Sequence, residues 1–222
     1  RKDVPRVMEE LVEQGRVMKL GNEFRLQTAE GAEWTQEYNQ RRASIRADAA
    51  RMSSLRNDWL QRAVDGQLAG LKLVQGKSKT PRKLTRYWNE DAPAIDGSTV
   101  PIWIRDEWGV SEAKVREAAI TAGTEDPTVF VILPKIDAEA IADALAGYAA
   151  AADTVSQRPE PQTDEGRQAK QGMQSRSLEG QQRLDSLFAA VVGKARVFQG
   201  GGNELTINSL RDGVEAAGNH SL

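Results

Sequence analysis

The sequence has no cysteine and only one histidine, and these two scarcities exclude several classes of chemistry. Without cysteine there is no disulfide, no thiol nucleophile and no thiolate zinc site. The histidine, His220, lies two residues from the end, where chains are commonly frayed, so a Ser-His-Asp triad is excluded as well. Carboxylates alone could still bind a metal, but none follows the spacing of a calcium loop. We therefore expect this segment to bind no metal and no cofactor.

Long hydrophobic runs are also missing. No uninterrupted apolar stretch approaches the roughly 18 residues of a membrane helix, and no positively charged leader precedes an apolar core. The chain begins at Arg1 without a methionine, so we expect a segment of a longer cytoplasmic protein with no membrane association. Its 222 residues, 39% of them hydrophobic, are enough for one large or two small folded domains.

The net charge of −2 conceals a strong local asymmetry. Residues 41–86 carry 12 lysines and arginines against three aspartates, which is an excess of +9, and the sign reverses after residue 91. Such a concentration of positive charge indicates an anionic partner for the middle of the chain.

The first segment, residues 1–28, has the pattern of a helix followed by a hairpin. Apolar residues recur at helical spacing over 4–14, and two alternating runs flank the turn pair Gly21-Asn22. A helix and hairpin in this order are typical of the end of a winged-helix domain. Such a domain can bind DNA or serve only in protein packing. The packing role is favoured because the candidate recognition helix carries phosphate-repelling glutamates, namely Glu9, Glu10 and Glu13.

The second segment, residues 29–90, is predicted to contain a long helix and a basic loop. Between 28 and 67, Tyr38, Ile45, Met52 and Trp59 fall seven residues apart, which predicts a helix that packs on another helix. The arginines on the remaining surface would face solvent or a partner, or they would contact nucleic acid. The nucleic-acid hypothesis assigns contacts to Arg41, Arg42, Arg46, Lys77, Lys79, Arg82, Lys83 and Arg86.

Two glycine-containing stretches resemble phosphate loops but fail the test of spacing. Gly70 and Gly76 are one residue too far apart for G-x-x-x-x-G-K-[ST], and Pro81 follows where a helix should run. The triple glycine 200–202 would need a further glycine at Leu205 to match a dinucleotide fingerprint. We interpret the first stretch as a basic loop and the second as a structural loop.

The remaining chain is predicted to be α/β. A polar stretch at 89–99 precedes a β-α-β-α module assigned to residues 91–156, with strands at 101–104 and 128–133 expected to pair in parallel. Residues 157–222 then form a linker, a long helix, a strand, the glycine loop and a terminal helix. The predicted fold class is therefore mixed α/β or α+β.

The stretch Pro101–Trp108 is the most distinctive in the chain because it combines a buried strand, two tryptophans and three charges. Arg105, Asp106 and Glu107 are expected just past the strand's carboxyl end, where ligand sites gather in open α/β sheets. These side chains would form either an acid–base cluster or a structural or partner clamp. The clamp is the preferred interpretation.

Five patches, taken in order, resemble one family: 25–28 with Glu33-Trp34, 75–78, 101–106 with Trp108, 129–135 and 197–204. With these patches the chain is similar to the BrxC/PglY proteins, which are large P-loop ATPases of bacteriophage exclusion (BREX) defence systems. The resemblance extends over most of residues 5–217. Glu107 departs from it, since it stands where the family pattern has glycine after Arg-Asp, and this departure argues against a fixed catalytic role for the loop.

The resemblance implies a parent protein that hydrolyses ATP with Mg²⁺ inside a multi-protein anti-phage complex. Neither Walker motif is present in this segment, so it implies no ATPase residue here and no enzyme activity for the segment itself. The expected function is a non-catalytic internal segment that couples the motor to other BREX subunits or to DNA, with self-association through the long helices as a further expectation. The alternative is a nucleic-acid-binding module that uses residues 41–86.

Overall fold

A computed structural model describes residues 4–13, 17–20, 23–26, 29–75, 80–94 and 99–220. These residues form seven helices and seven strands, so the predicted mixed α/β class is confirmed. In chain order the elements are α1 (Val4–Glu13), β1 (Val17–Leu20), β2 (Glu23–Leu26), α2 (Ala29–Ala47), α3 (Ala49–Gln67), β3 (Leu73–Gln75), β4 (Thr80–Tyr87), β5 (Thr99–Asp106), α4 (Glu112–Ala122), β6 (Val129–Leu133), α5 (Ala138–Gln157), α6 (Asp164–Gly193), β7 (Arg196–Phe198) and α7 (Leu210–His220).

The chain divides into two compact units, each assembled from two separate stretches of sequence. The first contains Arg1–Asn57 and Glu139–Asp185, and the second contains Asp58–Ala138 and Ser186–Leu222. This division cuts across the four consecutive segments predicted at 1–28, 29–90, 91–156 and 157–222. It does so because α5 packs within the first unit, whereas β7 returns to the sheet of the second.

In the first unit, the predicted helix and hairpin are present at the start of the chain. Strands β1 and β2 pair antiparallel, with Val17 opposite Leu26 and Leu20 opposite Glu23. The expected Gly21-Asn22 turn lies outside the described residues. The assignment of this helix and hairpin to a winged-helix domain stays a prediction.

The single helix predicted over 28–67 is wrong, because the chain breaks into α2 and α3 at Asp48. The Oδ1 atom of Asp48 accepts a hydrogen bond from the backbone N–H of Arg51 at 2.9 Å, as an N-cap side chain does. The heptad residues on both sides of the break are nevertheless buried, as their spacing predicted: Tyr38, Ile45, Met52 and Trp59.

The second unit is built on a five-stranded sheet with the order β3-β4-β5-β6-β7. The β5–β6 pair is parallel with α4 between its strands, as predicted, and β4–β5 is a second parallel pair. The outer strands β3 and β7 run antiparallel to their neighbours. The basic loop expected after residue 75 is wrong over 80–87, since this stretch pairs with strands on both sides as β4.

The core of the second unit lies along the central strands. All five residues of β6 are buried, as are residues 100–104 of β5. Trp103 meets Phe130 edge to face at 5.8 Å between ring centroids, and Val115 and Ala119 of α4 complete this cluster with Phe198. Each large apolar side chain buried in this way contributes about 2 kcal/mol of transfer free energy.

The triple glycine after β7 has a packing role in this unit. Gly201 and Gly202 have φ values of +85° and +81°, which non-glycine residues rarely adopt. The backbone N–H of Gly201 donates to the carbonyl oxygen of Ala119 in α4 at 2.8 Å. The loop is therefore fastened to α4, which agrees with its interpretation as a structural loop.

Candidate functional site

The sequence predicts that all three charged residues of the 101–108 stretch lie beyond the strand. The structure places only one of them there. Strand β5 continues to Asp106, so Arg105 and Asp106 are inside it, opposite Ile132 and Leu133 of β6. Only Glu107 follows the strand. The predicted position is wrong for Arg105 and Asp106 because the pairing with β6 extends the strand through both residues.

Arg105 holds the segment that leads into β5. Its Nη1 atom donates to the backbone carbonyl oxygen of Asn89 at 2.6 Å. The indole Nε1 of Trp103 donates to the same oxygen at 3.0 Å. The Arg105 guanidinium also lies 5.8 Å from the centroid of the Trp103 ring. Arg105 and Trp103 of β5 thus both donate hydrogen bonds to the carbonyl oxygen of Asn89 and hold it in place.

The two carboxylates beside Arg105 also bind backbone. Asp106 Oδ1 accepts from the N–H of Trp108 at 2.9 Å, and Glu107 Oε2 accepts from the N–H of Lys135 at 2.9 Å. The N–H of Glu107 in turn donates to the carbonyl oxygen of Leu133 at 3.0 Å. This geometry joins the ends of β5 and β6, and it supports a clamp better than an acid–base cluster.

Within the basic stretch 41–86, the arginines that belong to the first unit largely face acidic side chains. Arg41 donates to Glu37 at 2.5 Å and to Gln157 at 2.5 Å. Arg46 donates to Glu139 at 2.6 Å and to Asp143 at 3.3 Å, while Arg51 donates to Asp153 at 2.5 Å. Acids of α5 neutralise Arg46 and Arg51, and Glu37 of its own helix neutralises Arg41.

Arg158 forms the least exposed of these ion pairs. Its guanidinium bonds Glu37 at 2.8 Å and Glu33 at 3.3 Å, and it lies 4.9 Å from the centroid of the Trp34 ring. Partial burial by itself would raise the pKa of the Glu37 carboxyl. The hydrogen bonds and positive charges of Arg41 and Arg158 outweigh burial and hold that pKa below its ordinary value.

The remaining candidate nucleic-acid contacts belong to the second unit or lie outside the described residues. Lys77 and Lys79 fall in the undescribed stretch 76–79. On β4, Arg86 pairs with Asp65 at 3.1 Å, Arg82 has an interaction partner, and Lys83 is exposed. The eight residues therefore do not belong to one compact unit.

Sequence reasoning missed an ion-pair triad in the second unit. Arg196 of β7 bonds Glu112 at the start of α4 and Glu204 in the glycine loop, the latter at 2.5 Å. The hydrogen bond that Arg196 donates to Glu204 lowers the pKa of the Glu204 carboxyl, against the opposing effect of burial. The same bond raises the pKa of Arg196. The triad ties β7 and the loop that follows it to the start of α4, which is 84 residues away from Arg196 in the sequence. No local pattern could have indicated the contact with Glu112.

Sequence reasoning also missed a groove of about 480 Å³ in the first unit. It is formed by residues of α2, α5 and α6, and its chemical character comes from three arginines, two acids and two tyrosines. Its lining residues are Tyr38, Arg42, Asp143, Ala144, Gly147, Tyr148, Arg176, Glu179, Gly180 and Arg183.

Comparison of the chain with protein-family models, with curated proteins and with solved structures found no match. Within the described ranges, no group of three or more histidine, aspartate or glutamate side chains is placed to hold a metal ion. Nor is any helix in those ranges both long and apolar enough to cross a membrane.

Proposed function

We propose that this chain is a non-catalytic interaction segment of a BREX defence ATPase, in which it couples the motor to other subunits of the complex. One observation carries the proposal. The candidate site residues form their hydrogen bonds within the chain. Arg105, Asp106 and Glu107 bind backbone groups around the end of β5. Three arginines of α2 and α3 bind acidic side chains of α2 and α5.

Such bonding favours a scaffold over an active site. A general acid or base must reach a substrate proton, and a residue that clamps two strand ends is occupied by its backbone partners. The resemblance to BrxC/PglY proteins supplies the biological setting of the proposal, and the absence of Walker motifs from the sequence agrees with a segment outside the ATP site.

Chemical crosslinking of the parent ATPase with the other BREX subunits tests this proposal. We expect crosslinks from exposed lysines of this segment to other subunits, and no ATP hydrolysis by the purified 222-residue chain. Mass spectrometry of the crosslinked complex and a phosphate-release assay provide the two measurements. Hydrolysis by the chain alone, or crosslinks confined to the parent itself, would contradict the proposal. Among the described residues, the exposed lysines are Lys19, Lys72, Lys83, Lys114, Lys135 and Lys194.

The alternative is nucleic-acid binding through residues 41–86. It is favoured by the local charge excess and by the exposure of Arg42 and Lys83, neither of which forms an ion pair with any residue in the described ranges. It is disfavoured by the internal ion pairs of Arg41, Arg46, Arg51 and Arg86.

Salt dependence distinguishes the alternative from the main proposal. A DNA-binding module would be retained on duplex DNA at about 50 mM salt and would lose at least about a thousandfold in affinity by about 200 mM if six or more phosphates were contacted. Because so many of the arginines are already paired, we expect weak binding with a shallow salt slope. A steep slope that is abolished by Lys83→Glu and Arg42→Glu together would establish the alternative.

A further inference from the structure

The groove between α2, α5 and α6 contains cations that the rest of the first unit does not neutralise. Arg42 and Arg183 are both exposed, and neither forms an ion pair with a residue that the structure describes. This is unlike the paired Arg41, Arg46 and Arg158 of the same unit. Arg42 and Arg183 therefore present positive charge to solvent, where a partner can reach it.

The third arginine of the groove lies over an aromatic ring. The guanidinium of Arg176 lies 5.1 Å from the centroid of the Tyr38 ring, and Tyr38 itself is buried. A guanidinium stacked on an aromatic face keeps its in-plane N–H groups available for a carboxylate. Stacking therefore orients this side chain at little further entropic cost on binding.

Two glycines, Gly147 of α5 and Gly180 of α6, line the groove. A Cβ atom on Gly147 would lie 3.4 Å from the hydroxyl oxygen of Tyr38, and one on Gly180 would lie 3.2 Å from the Cβ of Tyr148. The backbone of α6 thus approaches α5 closely at this point. A larger side chain at Gly180 would need a neighbour to shift, so this close approach of α6 to α5 requires a small residue.

The two acids of the groove leave its charge positive. Asp143 is bonded by Arg46 at 3.3 Å, so part of its charge is already neutralised, and Glu179 lines the groove together with the three arginines. A continuous polyphosphate backbone would meet both carboxylates, whereas a peptide with separate acidic side chains can place them at the arginines alone. Base stacking is also disfavoured, because Arg176 occupies a face of the buried Tyr38 ring.

We propose that the groove between α2, α5 and α6 binds an acidic peptide segment of a partner protein, with its carboxylates paired to Arg42, Arg176 and Arg183. Arginine and carboxylate form bidentate hydrogen bonds that are stronger than those between neutral groups. The inference rests on the proposed interaction function and names the kind of partner surface involved.

Fluorescence anisotropy with a fluorescein-labelled peptide in which three glutamates are separated by glycines tests the inference on the full 222-residue chain. At about 50 mM salt we expect binding that weakens about tenfold or more in the double variant Arg42→Glu, Arg183→Glu. The matched control is Lys114→Glu with Lys194→Glu, which makes the same change in net charge at exposed positions of the second unit. The control is expected to change the dissociation constant less than about twofold.

Three results would overturn the inference: no binding by the unmodified chain, an equal loss in the control, or tighter binding of a labelled single-stranded oligonucleotide through the same arginines. If the charge reversal lowers the melting temperature, the neutral variant Arg42→Gln, Arg183→Gln replaces it, and unchanged peptide binding in that variant would also overturn the inference. Failure of the groove is distinguishable from failure of the proposed function. A parent that still crosslinks to other subunits while the chain binds no peptide contradicts only the groove.

Discussion

Replacing Gly200 by alanine is expected to destabilise the second unit by about 3 kcal/mol, although it adds a single methyl group. A Cβ at this position would overlap the carbonyl oxygen of Gly123 and would lie 2.7 Å from the carbonyl oxygen of Asp126. Both atoms belong to backbone, so neither can rotate away as a flexible side chain would. The loop after β7 or the turn after α4 must therefore shift.

The matched control is Gly66→Ala in α3, which lies in the same unit and where a new Cβ would have no atom within 4 Å. That change should stabilise the chain by up to about 1 kcal/mol, since alanine is the better helix former. Urea unfolding followed by tryptophan fluorescence can compare the two variants, because Trp59, Trp88, Trp103 and Trp108 all lie in the second unit. A Gly200→Ala variant as stable as the unmodified chain would show that the loop does not pack as described.

Replacing Arg158 by methionine is expected to destabilise the first unit by about 2 kcal/mol at neutral pH. The exposed fraction of this side chain is 16%, and its removal leaves Glu37, which is 29% exposed, with Arg41 as its remaining cation. The expected cost falls between that of an exposed ion pair and that of a fully buried one. Arg167→Met is the control, because the pair of Arg167 with Asp164 is exposed; it should cost less than about 0.5 kcal/mol.

Acid titration of the same variant gives a second measurement. A lowered pKa of Glu37 in the folded state stabilises the fold above its ordinary value of 4.5, and this contribution is lost as the pH falls through the lowered pKa. Without Arg158 the pKa moves back towards that ordinary value. The difference in unfolding free energy between the two proteins should therefore shrink as the pH falls below about 4. A difference that stays constant with pH would assign the effect to packing on Trp34 alone.

Local signals in the sequence were sufficient where an element is defined by its own periodicity. The apolar run of β6 and the amphipathic α1 were both predicted close to their observed bounds. Asp48 was a missed local signal: an N-cap residue was present in the sequence, but the heptad spacing of apolar residues continued across it and favoured one helix.

Strand β4 could not be predicted in the same way. Four of its eight residues are arginine, lysine or proline, which do not favour a strand, and its hydrogen-bonded neighbours on both sides stabilise it.

The groove between α2, α5 and α6 could not be predicted from the sequence for a related reason. Its arginines come from α2 and α6, so their proximity depends on how the helices pack and cannot be read from spacing along the chain.

The pairing of β7 with β6 has a consequence for synthesis on the ribosome. Strand β6 is finished at Leu133, but its outer neighbour does not begin until Arg196, with α5 and α6 translated in between. At about 5 to 20 residues per second this interval lasts several seconds. During that time the nascent chain has an entirely apolar strand with one unpaired edge, a surface prone to intermolecular pairing. Strand β7 can pair with β6 only after the 30 residues of α6 have left the ribosome.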